Sequence, residues 1–131
     1  MSIVFGTEPL LTFYLGESGD TIVEGFLNQV KDGSLSAYIN IVNLTEFYYI
    51  LHRYSPEAAK EKTRNIKSFG VEIMPVTDNH LWRIAAETKS RHPMSLADAY
   101  AVATAITTNS KLVIGADTEF DGLELPLIKI R

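Results

Sequence analysis

The sequence predicts an α/β fold: a three-layer α/β/α sandwich around a mostly parallel central sheet of four to five strands. Two observations predict it. Short β-rich apolar runs alternate along the chain with longer stretches of helical spacing. Consecutive strands are also separated by one or two helices. Such crossovers make neighbouring strands parallel and lay helices over both faces of the sheet.

The elements follow in order. Ile3, Val4 and Phe5 form the first strand. Residues 9–15 form a short helix with Pro9 at its start, where a missing N–H costs nothing, and Gly16 and Gly19 break it. Residues 21–31 carry Ile22, Val23, Phe26, Leu27 and Val30 at helical spacing, and Gly33 ends the helix. Residues 35–39 are the second strand. Helices follow over 43–53 and 56–69, the second stopped by Gly70. Residues 71–76 are the third strand, 78–91 a helix that stops before Pro93, and 95–107 a further helix. Residues 112–114 give a fourth strand and 127–130 a short fifth.

A chain of 131 residues fits one domain, expected to span 1–131, with a core large enough to need no staples. The absence of cysteine excludes disulfides and thiolate metal sites. It also agrees with a reducing compartment, and the opening MSIVFGTEPLL has neither a basic leader nor a long apolar run. The expectation is a cytoplasmic protein without a membrane segment. A net charge of −4 argues against a surface coated in positive charge for nucleic acid. It leaves open an enzyme that meets nucleic acid through cations.

Sites in parallel sheets form beyond the carboxyl ends of the strands. Polar residues stand there at four places: Gly6-Thr7-Glu8, Asn43-Leu44-Thr45-Glu46, Ser95-Leu96-Ala97-Asp98 and Asp117-Thr118-Glu119-Phe120. Singly, the acids have structural explanations. Ser95 with Asp98 has capping-box spacing, Asn43 with Glu46 resembles it, and Asp117 suits a turn. Gathered together, carboxylates repel one another unless a cation sits among them. Mg²⁺ or Mn²⁺ suits a few carboxylates plus water, and such ions activate water against phosphodiesters.

Four stretches carry a family resemblance: IVFGTEPLLTFYLGE, NLTEFYYIL, SLADAYAVATAI and LVIGADTEF. In this order and at these spacings, across essentially the whole chain, the sequence resembles PIN-domain proteins of the VapC type, the toxin ribonucleases of toxin–antitoxin pairs. The resemblance implies a PIN-like fold and a site of four acidic positions that binds Mg²⁺ or Mn²⁺ to cleave RNA. Glu46, Asp98 and Asp117 fill three of those positions. Glu119 is an outer participant, and Thr7 matches a small hydroxyl residue that orients water. The first acidic position is filled by Gly6, which offers no ligand. Glu8 lies close by in sequence but projects from a different place, at the helix start, a substitute that the spacing does not establish. The chain is thus either a naturally weakened member or a disabled variant. The resemblance further implies a homodimer and a VapB-type antitoxin partner.

Other features have plainer readings. Lys60, Arg64 and Lys67 share one helical face, but Glu57 and Glu61 make it a solvated face rather than an RNA track. Lys89, Arg91 and His92 precede Asp98 and are better placed to meet a substrate backbone. His52, His80 and His92 have no paired spacing, so a zinc site is not expected. Residues 44–51 are apolar nearly all round, which suits central packing or, with the resemblance, a dimer face or partner groove. The rival to an endoribonuclease is a PIN-fold module that binds RNA or protein without catalysis. A phosphoacceptor receiver domain fits poorly, because it needs an acidic pair after the first strand, where Gly6 stands.

Overall fold

The computed structural model describes residues 1–77, 79–116 and 118–131. Two expectations fall outside them: Asp78 as the start of a helix, and Asp117 as a site carboxylate.

β1 (Ser2–Phe5) is the centre of a five-stranded sheet. β2 (Ser36–Asn40) and β3 (Glu72–Met74) lie successively on one side, and β4 (Lys111–Ile114) and β5 (Leu127–Lys129) on the other. Every pairing is parallel, with Ile3 in register with both Ala37 and Lys111. Side chains alternate across a strand, so the apolar run of β1 serves two faces at once. Ile3 and Phe5 join one core with Ile39 and Val113. Val4 joins the other with Leu112 and Ile114.

The first core is closed by α1 (Thr7–Leu15), α2 (Asp20–Lys31), α3 (Ile41–Tyr54) and α4 (Pro56–Phe69), through residues such as Leu10, Leu27, Phe47 and Ile66. The second is closed by α5 (Asn79–Arg91) and α6 (Leu96–Thr107). Buried alanines at 97, 99, 101, 103 and 105 let α6 lie close against β1, β2 and β4. The three-layer α/β/α fold is therefore the one predicted, with five strands, all parallel. Among the described residues no helix is long and apolar enough to cross a membrane.

Two helix starts differ from expectation in ways that bear on the site. α1 begins at Thr7 rather than Pro9, with extended Gly6 as its N-cap; Pro9 still sits in the first turn, where no N–H is needed. α3 begins at Ile41, directly on the end of β2 without a loop. Its cap is Asn40, whose Oδ1 accepts from the Val42 N–H at 2.8 Å, while Nδ2 donates to Thr104 Oγ1 at 2.9 Å. Asn43 is therefore not a cap, and Glu46 stands in the second turn, beyond the reach of a capping box. β3 is also shorter than expected, since it is an edge strand followed by Pro75, which has no N–H for a ladder.

Candidate functional site

The sheet order fixes where a site can form. From β1 the chain winds outward to β2 and β3, then returns to β4 on the other side of β1. The connections leaving β1 and β4 diverge, and a crevice opens between their carboxyl ends. A small concavity lies there, lined by Gly6, Thr7, Glu8 and Pro9 after β1, Ile114 and Gly115 at the end of β4, Asp98 and Phe120.

The residues expected to carry chemistry divide in two. Gly6, Thr7 and Asp98 line the concavity, and Glu8 joins them. Asp98 is half-buried in the first turn of α6, and its N–H donates to the Ser95 cap at 3.1 Å. The expected cap at Ser95 is thus present, and it fixes the turn from which the carboxylate projects. Glu46 is half-buried on α3, and Glu119 is exposed in the short 3₁₀ turn Thr118–Phe120; neither is among the lining residues. Among the described residues no three His, Asp or Glu side chains gather as a ready metal cage.

Thr7 is only 5% exposed, and its hydroxyl is directed at α3 rather than at solvent. It donates to the Asn43 carbonyl at 3.4 Å and accepts from Asn43 Nδ2 at 3.2 Å. The same Nδ2 donates to the Ala97 carbonyl at 3.0 Å. Ala97's oxygen can only accept, which settles the orientation of the amide. The fully buried Asn43 therefore pins the starts of α1 and α6 to α3. The Thr7 hydroxyl serves this clamp. Lys89 Nζ donates to the Met94 carbonyl at 2.9 Å, bracing the loop that leads into α6. Lys60, Arg64 and Lys67 are exposed, as are Glu57 and Glu61, as a solvated face requires.

The sequence reading missed a charged pair at this corner. Arg131, just beyond β5, donates through Nη1 to Glu8 Oε1 at 2.6 Å. Its Nη2 donates to Thr12 Oγ1 at 2.7 Å, and its Nε to the Ser18 carbonyl at 2.9 Å. The turn between α1 and α2 is held against this strand end: Gly19 has φ +101°, and a Cβ there would run into the Ile130 carbonyl. Gly115 bears on the pair too, since a Cβ at that position would overlap the Glu8 carboxylate. Like Glu8, Arg131 is a polar residue just after a strand, and that position is the local signal for it.

The fit of a hard divalent cation follows from the donors. Mg²⁺ keeps several waters and needs only one or two protein carboxylates. Asp98 and Glu8 supply two on one concavity, and the space over Gly115 admits one of them. The donor chemistry suits Mg²⁺ or Mn²⁺.

On the opposite side of α3, Ile41, Leu44, Thr45, Tyr48 and Tyr49, with Thr63 of α4, line an open apolar groove of about 290 Å³. Ile41 and Tyr49 are exposed there, while Leu44, Phe47 and Leu51 are buried. The helix that reads as apolar all round thus packs on one side and leaves a groove on the other.

The family model of the PIN domain matches residues 3–124. Several solved structures share the fold. A toxin–antitoxin complex from Klebsiella pneumoniae superposes with a TM-score of 0.77 at 15% identity, covering 98% of both chains. VapBC2 from Rickettsia felis, bound to a DNA fragment of its promoter, gives 0.77 at 17% identity, again over 98% of both chains. VapC20 from Mycobacterium tuberculosis, a toxin that cleaves the sarcin–ricin loop, gives 0.72 at 19% identity over 94% of this chain and 95% of its own. At such identities the likeness is one of fold. No curated protein matches the sequence.

Proposed function

From the premise that this chain belongs to the PIN domain family, we propose that it is a divalent-metal-dependent endoribonuclease and the toxin of a toxin–antitoxin pair. The observation that carries this reading is the concavity at the switch between β1 and β4, which Asp98 and Glu8 both line at the carboxyl ends of the central strands. The solved structures of similar fold, a VapC toxin and toxin–antitoxin complexes among them, support it.

Asp98 and Asp117 are the proposed holders of Mg²⁺ or Mn²⁺, with Glu46 a further ligand or the base that orients water, and Glu119 an outer participant. When bound, the ion polarises a phosphoryl oxygen and lowers the pKa of water toward neutrality. The protein's own share is positional. Ser95 and the Asn43 clamp hold the first turn of α6, and so Asp98, against the end of β1. The amino ends of α1 and α6 both face the concavity, and their dipoles favour an anionic phosphate. With a net charge of −4, the chain gains its attraction for RNA from the cation rather than from a basic surface. We assign the groove on α3 to a VapB-type antitoxin or to a second copy in a homodimer, because an apolar groove beside exposed Ile41 and Tyr49 is the surface a partner helix would cover. A cytoplasmic site of action belongs to the same reading.

The test is Gly6→Asp. Gly6 has φ −69° and ψ 175°, which any residue adopts. An added Cβ would lie 3.3 Å from the Val113 carbonyl oxygen and 3.9 Å from Pro9 Cδ, so a shift of a few tenths of an ångström admits it. The new carboxylate would also cap α1, worth a few tenths of a kcal/mol over glycine. Mn²⁺-dependent cleavage of RNA should rise by about tenfold or more. A folded Gly6→Asp chain that binds Mn²⁺ yet cuts no RNA would instead favour the non-catalytic binding module.

A further inference from the structure

Gly6 removes a carboxylate from the end of β1, yet the corner it vacates is not empty of charge. The Glu8 carboxylate lies over Gly115 at the end of β4, in space that exists only because residue 115 has no side chain. Its side chain is 44% exposed, so a cation from solvent can reach it. It lines the same concavity as Asp98. A guanidinium already sits on it: Arg131, whose other two nitrogens donate to Ser18 and Thr12. Because those anchors do not involve Glu8, the positive charge stays at the corner even when Glu8 lets go.

We propose that Glu8 has taken over the carboxylate duty lost at Gly6, and that Arg131 is a tethered cation that competes with the divalent ion for it. The inference rests on the metal-dependent reading above. Glu8 needs the freedom of Gly115 to reach the β4 end, and Arg131 neutralises it while no ion is bound. A divalent cation must then displace, or share the carboxylate with, a fixed unit charge. Glu8's side of the pair is open to solvent, which screens the attraction and lets the pair open. Metal affinity is therefore set by the pair rather than by Glu8 alone.

The test is Mn²⁺ binding to the full chain, followed by titration calorimetry and by the electron paramagnetic resonance of free Mn²⁺, with no RNA present. Glu8→Gln, nearly isosteric, should weaken binding about tenfold. Gly115→Ala, which puts a methyl where the carboxylate lies, should weaken it to a similar degree. Arg131→Gln should tighten binding about threefold or more, whereas Arg131→Lys, which keeps the charge, should stay near wild type. In the Glu8→Gln background, Arg131→Gln should have lost most of its effect. If Asp98→Asn abolishes binding while Glu8→Gln and Arg131→Gln leave it unchanged, Glu8 has no such duty and the metal site itself stands. If Asp98→Asn also leaves binding unchanged, the metal reading fails with it.

Discussion

Asp98→Asn, introduced into the Gly6→Asp chain, should cut Mn²⁺-dependent RNA cleavage by about a hundredfold or more. Replacing groups that merely orient metal ligands already costs 10- to 100-fold, and a ligand itself should cost no less. The substitution removes charge and keeps shape. Asp98 is half-buried in a turn whose cap comes from the Ser95 hydroxyl to the backbone N–H, which the substitution does not touch. Folding should therefore survive, and unchanged thermal unfolding beside lost cleavage separates chemistry from structure. Cleavage that persists in a folded Asp98→Asn chain would remove Asp98 from the site.

Phe47→Ala should lower the unfolding free energy by about 3–5 kcal/mol. Phe47 is 0% exposed at the centre of the core beneath α3, and Tyr14 meets its ring edge-on at 5.7 Å between centroids. Truncation leaves a cavity among Leu10, Leu44, Ile66 and the sheet, where close packing prevents full collapse. Since a domain has only about 5–15 kcal/mol in total, this one change should bring the chain near its limit. Urea denaturation reads the loss as a shift in midpoint at constant slope. A loss below about 1 kcal/mol would mean that α3 is not buried as described. Because α3 also carries Asn43 and Glu46, the site should loosen with it.

The layers and most elements were legible because they follow from periodicity. A strand such as 3–5, apolar on both faces, and a helix such as 20–31, apolar on one, differ in ways a short window captures. The start of α3 was not legible. Asn40 and Asn43 are both of a type that caps helices, and the glutamate three positions on favoured Asn43; yet β2 runs straight into the helix, and Asn40 caps it. That correction matters for Glu46, whose structural excuse as a capping-box acid disappears. At Asp98 the cap was legible and present, so the local pattern could not tell a cap from a ligand. The Glu8–Arg131 pair, 123 residues apart, lay beyond any local pattern. Only the sheet order, which sets β5 beside β4 and β4 beside β1, brings the two together. The role of Gly115 in space likewise depends on a side chain from the other end of the chain.

The central place of β1 has a consequence for synthesis. Its partner across the crevice is β4, with Ile3 in register with Lys111, so β1 waits for the chain through Lys111 before that flank exists. Until then, β1, β2 and β3 and their helices can associate, but residues 111–115 are not yet there to wall the crevice. A nascent chain that stops short of β4 therefore lacks one wall of the crevice. Chains arrested before β4 emerges should show neither the Mn²⁺ affinity nor the cleavage of the released protein.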